Sequence, residues 1–218
     1  MSANGAIRLG EAPAGGTERW IARWSFLALK GTVDFFLSLC LLILLLPVFV
    51  LVGVLVKCPS RGPMLYVHDR VGLGGRVFRM LKFRTMVCDA EALTGPVWAR
   101  PDDPRVTAMG RFLRKYHFDE LPQFVNVLKG DMSLVGPRPE RPVFVRVFAE
   151  SIPHYSKRLG VKPGITGLAQ ILRRYDESVA DVRKKLALDL LYIRRMCWMV
   201  DLLILSRTVS RVLRGRPR

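Results

Sequence analysis

The sequence predicts an α+β protein that is mainly helical and attached to a membrane. Three observations carry this prediction. Residues 35–56 form a run of 22 residues without a charge, residues 63–82 contain two β-rich stretches around a glycine turn, and much of the remaining chain has helical periodicity. With 218 residues, the chain has room for one ordinary domain beside its membrane segment.

The composition combines high charge with high hydrophobicity. Lysine and arginine number 35 against 18 acidic residues, a net charge of +17, while 50% of the residues are hydrophobic. This apolar content excludes intrinsic disorder, and 24% charged residues exclude a polytopic transporter. The balance indicates a body held against anionic lipid or acting on anionic substrates. The four cysteines form no CxxC pair, which favours a reducing cytosolic face.

The N-terminal part divides into a tail and a membrane region. Residues 1–16 are rich in glycine, alanine and serine, and we expect a disordered tail. The membrane region, residues 17–57, begins with an interfacial amphipathic helix over 17–30, in which Trp20 and Trp24 recur at helical spacing. A buried helix with two core tryptophans is the alternative interpretation.

The uncharged run over 35–56 is long enough to cross a bilayer. As a helix it would measure about 33 Å, against a hydrocarbon core of roughly 30 Å. Pro47 lies just past its middle, removes a backbone donor and predicts a bend. Three basic residues lie in the twenty positions before this region and four in the twenty after it, so there is no usable positive-inside bias. A kinked span and a helix that returns to the same face therefore both stay open.

The predicted cytoplasmic domain, residues 58–218, begins with a β-hairpin. Its strands, 63–69 and 77–82, flank a turn that contains three glycines. A phosphate-binding loop is the alternative for this turn, but no βαβ pattern surrounds it.

The rest of this domain is predicted to be largely helical. Helices are expected over 118–129, 143–150 and 177–213. The last of these is expected to lie partly in the core and partly at the membrane interface, and it ends in a basic tail. Residues 163–170 are expected to form a turn that reverses the chain or packs around a ligand.

Asp119 and Glu120 are the leading candidates for chemistry. Pro122 follows closely and fits the first turn of a helix, so Asp119 is predicted at or near a helix N-cap, where it could serve as a cap alone. The same position would keep a carboxylate ionised and attract phosphate. An ionised carboxylate beside a phosphate suits a nucleophile for phosphoryl transfer, and its neighbour can help to hold a hard divalent cation.

Several cations are candidates for phosphate binding. Pro137 and Pro139 fix the backbone on both sides of Arg138, which favours bidentate phosphate binding over a mere connecting loop. Lys82 and Arg84 alternate along a strand and are predicted to share one face, which lines an anion pocket or is solvated. Further cations precede Asp119 and Glu120, the dyad, and include Arg111 and Arg114.

These motifs together resemble a known family. KFRTM (82–86), DPRVT (103–107), DELPQ (119–123), NVLKGDMSLVGPRPE (126–140) and KPGITGLAQ (162–170) occur in the order and spacing of the bacterial sugar transferases. These are the monotopic phosphoglycosyl transferases that initiate bacterial glycan assembly. The resemblance runs from about residue 30 to 208, and five motifs in order make it specific.

The resemblance implies an activity, a mechanism and a location. It implies transfer of a sugar 1-phosphate from a UDP-sugar to undecaprenyl phosphate, with release of UMP, at the cytoplasmic face of the bacterial inner membrane. Magnesium is the implied cofactor, held by Asp119 and Glu120. The implied route is ping-pong, with Asp119 as the nucleophile that becomes a phosphosugar adduct and Glu120 as its catalytic partner. Lys82, Arg84, Arg111, Arg114 and Arg138 would bind phosphates and nucleotide.

The resemblance also refines the predicted fold class. Members of the family carry a re-entrant helix that is broken near a proline, and Pro47 matches this proline. Where some members have serine before the proline, this chain has Leu46, which leaves the bend angle undetermined. The predicted fold is thus α+β, mainly helical: a monotopic membrane protein with a proline-bent re-entrant N-terminal helix, a small β-hairpin and interfacial amphipathic helices.

Two other functional classes are weighed against this one. A membrane adaptor without activity would leave the dyad and Arg138 without a purpose. A membrane-tethered nucleic-acid binder is suggested only by the net charge, and the sequence contains no nucleic-acid-binding module, so we expect no nucleic acid among the partners. Membrane lipids are expected partners, whereas a homo-oligomer and contacts with downstream glycosyltransferases stay open. Galactose or glucose is the preferred sugar.

Overall fold

The computed structural model describes residues 17–58, 62–88, 90, 95, 103–172 and 178–215, and their side chains from residue 25 onwards. Eight helices and four strands are described in the order α1 (Thr17–Leu44), α2 (Leu46–Lys57), β1 (Leu65–Val71), β2 (Val77–Phe83), α3 (Ala108–Lys115), α4 (Gln123–Leu128), β3 (Ser133–Val135), α5 (Pro142–Ser151), β4 (Gly164–Thr166), α6 (Leu168–Leu172), α7 (Val179–Arg195) and α8 (Trp198–Leu213). A mainly helical fold with small sheets is therefore confirmed. The predicted tail, 1–16, and the side chains of Trp20 and Trp24 lie outside the described residues.

The apolar N-terminal region is a helix interrupted beside Pro47. Helix α1 ends at Leu44, Leu45 has φ −91° and ψ 6°, and α2 begins at Leu46 with Pro47 in its first turn. A first turn needs no backbone donor from the proline, so Pro47 is compatible with α2 but not with an unbroken helix. The predicted interruption is confirmed. By length and composition, 25–44 could cross a membrane, and α2 is a shorter apolar helix.

The segment 17–30, expected as an interfacial helix, and the start of the uncharged run at 35 belong to one continuous helix. Helix α1 runs without a break through the charged residues Lys30 and Asp34. Their side chains lie one turn apart on one face of α1, and both are buried. Lys30 Nζ lies 2.7 Å from Asp201 Oδ2, and Ser133 Oγ donates to Asp34 Oδ2 at 2.5 Å. These contacts satisfy the charges, so the helix need not end there.

Both arms of the interrupted helix pack against the same body. Helix α1 makes the polar contacts just described, and Val52 and Val56 of α2 pack in one cluster with Phe83 and Leu113. The residues around the interruption are apolar and exposed: Ile43, Leu44, Leu46, Val50 and Leu51. The two helices of this region are thus packed on the rest of the protein, while the apolar residues at their junction, the apex, are exposed.

The predicted β-hairpin is confirmed. Strands β1 and β2 are antiparallel, with Val71 opposite Val77 at the turn and Leu65 opposite Phe83 at the open end. In the turn, Gly74 has φ 64°, in the left-handed region that glycine adopts without strain. Beyond the turn, hairpin residues enter a core cluster with α4 and the segment before β3: Phe78, Met80, Val127 and Met132.

The segment 163–170 is not the expected turn. It contains β4, which pairs in parallel with β3, and it continues into α6. The segment at β4 lies so close to the segment after β3 that glycine is required. A Cβ on Gly164 would lie 2.1 Å from Gly136 N. The parallel pair was missed because each strand has only three residues and no distinctive alternation.

The prediction of one continuous helix over 177–213 is also wrong. The segment is divided into α7 and α8 at Met196, with ψ 120°, and Cys197, with φ −161° and ψ 166°. The break changes the direction of the chain, and Tyr192 OH of α7 donates to Asp201 Oδ1 of α8 at 2.8 Å. The expected contribution of this region to the core is confirmed, because Ile204 of α8 is fully buried, while Leu202 is exposed. The helix expected over 143–150 is confirmed as α5.

Candidate active site

The Asp119–Glu120 dyad lies in a 3₁₀ turn, Phe118–Glu120, that precedes α4. The turn follows His117, which has a left-handed φ of 58°, and Glu120 N donates to His117 O at 3.1 Å. Both carboxylates are buried, with 7% of Asp119 and 6% of Glu120 exposed. The left-handed residue thus lies directly before the turn that carries the dyad, at a backbone conformation uncommon for residues other than glycine.

The predicted capping role of Asp119 is wrong. Pro122 occupies the N-cap position of α4, which begins only at Gln123, so Asp119 lies three residues before that position. The proline signal was correct for a helix start but did not distinguish the first turn of an α-helix from a 3₁₀ turn that leads into one. Asp119 is therefore not the cap of α4, and the expected effect of a helix N-terminus on its charge loses the same basis.

Two cations from distant parts of the chain meet on Glu120. Lys82 Nζ, from β2, donates to Glu120 Oε1 at 2.9 Å, and Arg138 Nη2, from the loop after β3, donates to the same oxygen at 3.0 Å. Burial lowers the pKa of Lys82 to about 8, although the negative charge of Glu120 opposes this effect. Burial acts in the same direction on Arg138, but there the charge of Glu120 prevails and the pKa is raised. Three of the predicted site residues are thus in direct contact.

The other predicted cations belong to the unit formed by α3 and the segment after β2. Helix α3 approaches this segment so closely that a Cβ on Gly110 would lie 2.0 Å from Thr85 O. Arg114 Nε donates to Thr85 Oγ1 at 2.9 Å, Arg84 Nη1 donates to Cys88 Sγ at 2.7 Å, and the exposed Arg111 donates to Val106 O at 3.2 Å.

The prediction that Lys82 and Arg84 share one face of a strand is wrong, because the strand ends between them. Strand β2 ends at Phe83, so Arg84 lies beyond the regular alternation that the prediction assumed. Lys82 remains in the strand and reaches the dyad, whereas Arg84 is buried in the adjoining segment.

The loop that carries Arg138 is fixed by the β3–β4 pair as well as by its prolines. Gly136 N donates to Thr166 O at 2.9 Å, and Gly164 N donates to Pro137 O at 2.9 Å. The GPRPE and KPGITG motifs, which are separate in the sequence, therefore form one structural unit beside the dyad. Sequence reasoning named Arg138 but did not identify the strand that holds it.

A cavity of about 140 Å³ adjoins the dyad on the side of α8. Its apolar lining consists of Leu121, Phe124, Ile165, Ile171 and Val212. Glu120 lines one side, and Arg211 lines it from α8, where its Nη1 donates to Gln170 O at 2.6 Å. The site therefore combines a charged centre with an adjacent apolar recess.

The dyad can be tested for its fit to a divalent cation. In the part of the chain that the structure describes, no cluster of three or more His, Cys, Asp or Glu side chains could hold a metal ion. Magnesium typically uses one or two carboxylates together with the phosphate oxygens of a substrate. The paired carboxylates Asp119 and Glu120 fit that requirement, but only for a metal bound together with a phosphorylated ligand.

Comparison with known proteins is consistent with this geometry. Residues 25–215 match the family described as bacterial sugar transferase. The chain is 42% identical over 187 residues to the UDP-N-acetylgalactosamine-undecaprenyl-phosphate N-acetylgalactosaminephosphotransferase of Aeromonas hydrophila, a match that covers 86% of this chain and 44% of that protein. The chain thus spans less than half the length of this relative.

Two further relatives match over more of their own lengths. The UDP-glucose:undecaprenyl-phosphate glucose-1-phosphate transferase of Caulobacter vibrioides is 42% identical over 188 residues, which cover 84% of this chain and 69% of that protein. The exopolysaccharide production protein PSS of Rhizobium leguminosarum bv. phaseoli is 38% identical over 197 residues, which cover 87% of this chain and 98% of that protein. By the family match and these identities, the chain belongs to the bacterial sugar transferase family.

Proposed function

We propose that this protein transfers a sugar 1-phosphate from a UDP-sugar to undecaprenyl phosphate, releasing UMP, and thereby initiates assembly of an exopolysaccharide, O-antigen or related glycan. The observation that carries this proposal is the buried dyad, in which Glu120 binds both Lys82 and Arg138. Two carboxylates, two cations and an apolar recess suit a charged diphosphate donor and a lipid acceptor. The names of the relatives supply the substrate classes.

The proposed reaction has two steps on one nucleophile. A carboxylate oxygen of Asp119 attacks the β-phosphorus of the UDP-sugar, and the bond from that phosphorus to the bridging oxygen breaks, so that UMP leaves with the electron pair. A phosphate oxygen of undecaprenyl phosphate then attacks the same phosphorus and displaces Asp119. Each substrate uses the site in turn, which suits two substrates of very different polarity.

The surrounding residues are proposed to neutralise and orient the phosphates. Arg138 and Lys82 hold Glu120 in the free protein and would turn towards phosphate oxygens on binding, while Arg84, Arg111 and Arg114 would extend the positive surface towards the nucleotide. Asp119 and Glu120 would hold magnesium, which when bound supplies further neutralisation of phosphate charge. Glu120 would also orient the nucleophile beside it.

The acceptor lipid is proposed to use the recess beside Glu120. Its apolar lining by Leu121, Phe124 and Ile171 suits the first part of a hydrocarbon chain, while Glu120 lies at its charged side. Helix α8, which lines the recess with Val212, exposes apolar side chains such as Leu202 and Leu213 on its outer surface. These side chains would give the lipid an apolar approach to the recess.

The membrane helix is proposed to be re-entrant, with the catalytic body at the cytoplasmic face of the inner membrane. A straight helix from Lys30 to Val56 would be about 39 Å long and would place its two ends on opposite sides of a bilayer. Instead, both arms are packed on one body, which supports a helix that returns to the face it entered from. The exposed apolar apex around Leu44 would enter the hydrocarbon.

The proposal is tested with detergent-solubilised protein. We expect UMP release from a UDP-sugar that depends on magnesium and undecaprenyl phosphate, with UDP-glucose, UDP-galactose and UDP-N-acetylgalactosamine as the first donors. Because the route has a covalent intermediate, labelled UMP should exchange into the UDP-sugar without any lipid acceptor. Absence of UMP release with every donor would overturn the proposed function, whereas release without exchange would overturn only the covalent route.

A further inference from the structure

The loop 136–140 is held by hydrogen bonds to four successive backbone carbonyls. The donors come from three different places in the chain, because Arg70 and Val71 are neighbours in β1. Pro137 O accepts from Gly164 N at 2.9 Å, Arg138 O from Arg158 Nη2 at 2.8 Å, Pro139 O from Arg70 Nη1 at 2.9 Å, and Glu140 O from Val71 N at 2.9 Å. Since the two prolines supply no N–H of their own, these carbonyl contacts, together with the bond from Gly136 N to Thr166 O, fix the loop.

Arg158 makes the contact at the central residue, and it is itself tightly held. Its side chain is 4% exposed, and its Nη2 lies 2.7 Å from Asp189 Oδ2, a side chain that is 2% exposed. Its Nη1 donates to Tyr155 OH at 2.9 Å. One planar guanidinium thus bridges a carboxylate on α7, a phenol and the Arg138 carbonyl, which the single ammonium of a lysine could not do in the same geometry.

The contact joins α7 to the dyad through a short series of residues. Asp189 fixes Arg158, Arg158 fixes the backbone of Arg138, and the Arg138 guanidinium reaches Glu120 Oε1. A shift of that backbone would carry the guanidinium away from the dyad, since the neighbouring prolines leave the loop few other conformations. Asp189 and Arg158 lie outside every motif that the sequence analysis singled out.

We propose that Arg158, fixed by Asp189, is a positioning residue that sets the place of the Arg138 guanidinium at the dyad. This inference rests on the proposed function, because it assigns Arg138 to the binding of substrate phosphate. Neither Arg158 nor Asp189 needs to touch the substrate. Their effect passes through Arg138 alone, and this is the property that separates positioning from a general contribution to stability.

A double-mutant cycle tests the proposal. Arg158→Lys, Arg138→Lys and the double variant are compared by kcat/KM for UMP release from the UDP-sugar. We expect Arg158→Lys to lower kcat/KM by about 10-fold or more, in keeping with the cost of a misplaced binding group. In the Arg138→Lys background the same change should cost less than about threefold, because the residue through which it acts is already altered. Asp189→Asn should behave as Arg158→Lys does.

The controls separate positioning from folding. Arg183→Lys changes an exposed arginine on the same helix as Asp189 and should leave kcat/KM unchanged. If Arg158→Lys lowers the thermal midpoint so far that the protein is not folded at the assay temperature, Tyr155→Phe removes one Arg158 contact more mildly, and its smaller effect should likewise disappear in the Arg138→Lys background.

The outcomes also distinguish the inference from the function on which it rests. Wild-type protein that releases no UMP overturns the proposed function. Active wild type combined with folded, fully active Arg158→Lys overturns the inference alone. Losses that multiply in the double variant would also overturn it, because they would show that Arg158 acts independently of Arg138.

Discussion

Arg138 Nη2 lies 3.0 Å from Glu120 Oε1, so the arginine that is proposed to bind phosphate is occupied by the dyad itself in the free protein. Lys82 donates to the same oxygen. Phosphate must therefore compete with Glu120 for two cations, and the site remains neutralised when no substrate is bound. This exchange of partners reduces the cost of burying a carboxylate in the empty site.

Replacing the proposed nucleophile should abolish turnover. We expect Asp119→Asn to lower kcat by at least about 1,000-fold, because the amide retains the volume but lacks the anionic oxygen that attacks phosphorus. The measurement is UMP release, together with the intact mass of protein incubated with UDP-sugar, in which only the wild type should gain a sugar phosphate. A matched thermal midpoint shows that the fold survives. Substantial turnover by folded Asp119→Asn would contradict the assignment.

Arg138→Lys should be damaging although the charge is kept. We expect kcat/KM for the UDP-sugar to fall by about 100-fold, because lysine cannot present two parallel donors to a phosphate. The thermal midpoint should change little in comparison, since the loop is held by contacts to its backbone carbonyls. Activity near that of the wild type would show that Arg138 acts as a point charge or has no role in binding.

Filling the recess beside Glu120 should separate the two substrates. Ile171→Trp adds bulk to its apolar lining, so we expect the KM for undecaprenyl phosphate to rise by about 10-fold or more while UMP exchange into UDP-sugar without acceptor is retained. Leu191→Trp, on the surface of α7, is the matched control and should change neither property. Equal loss of exchange and transfer in Ile171→Trp would exclude a recess dedicated to the acceptor.

The topology of the membrane helix can be measured directly. In a background in which the four cysteines are replaced, single cysteines at Ala3 and at Arg216 are exposed to an impermeant thiol reagent in whole cells and after lysis. We expect both to be protected in cells and labelled after lysis, because a re-entrant helix keeps both ends in the cytoplasm. Labelling of the Ala3 site in intact cells, with protection of the Arg216 site, would identify a spanning helix.

Acid should destabilise the protein partly through Glu140. Burial would raise the pKa of this carboxyl group, but Lys185, Arg158 and Arg70 prevail and lower it from 4.5 to about 2. Because the pKa is lower in the folded protein than in the unfolded chain, the stabilisation is complete above about pH 4.5 and is lost as the pH falls towards 2. It amounts to on the order of 3 kcal/mol, at about 1.4 kcal/mol per pKa unit.

The comparison of wild type with Glu140→Gln isolates this contribution. Thermal midpoints measured from pH 6 down to pH 3 should fall more steeply for the wild type than for the variant, and the two curves should converge in acid. Parallel curves would show that the ion pairs of Glu140 with Lys185 and Arg70 do not stabilise the fold.

The sequence was most informative where the signal is local. The hairpin follows from a glycine turn between two β-rich stretches, and the helix interruption follows from Pro47, since backbone sterics act over a few residues. The dyad and the two prolines around Arg138 were likewise recognisable as short motifs. Local signals failed where two conformations fit the same residues, as with the 3₁₀ turn at Asp119 and the division of the final helix at Cys197.

The contacts that assemble the site could not be predicted from the sequence. Lys82 meets Glu120, Arg158 meets Asp189 and Lys30 meets Asp201 across long separations, and nothing in the local sequence of a lysine or arginine names its partner. With 35 basic and 18 acidic residues, many pairings satisfy charge equally well. Only the tertiary packing of the elements that carry these residues selects among them.

The buried pair of Lys30 and Asp201 has a practical consequence for the preparation of this protein. Truncation before β1, the usual way to obtain a soluble catalytic fragment, would remove Lys30 and leave the Asp201 carboxylate, which also accepts from Tyr192, without its cation. It would also remove Val52 and Val56, which pack against Phe83 and Leu113. Such a fragment should aggregate on expression, whereas full-length protein in nanodiscs should remain monodisperse, so the first two helices are as much part of the folding unit as of the anchor.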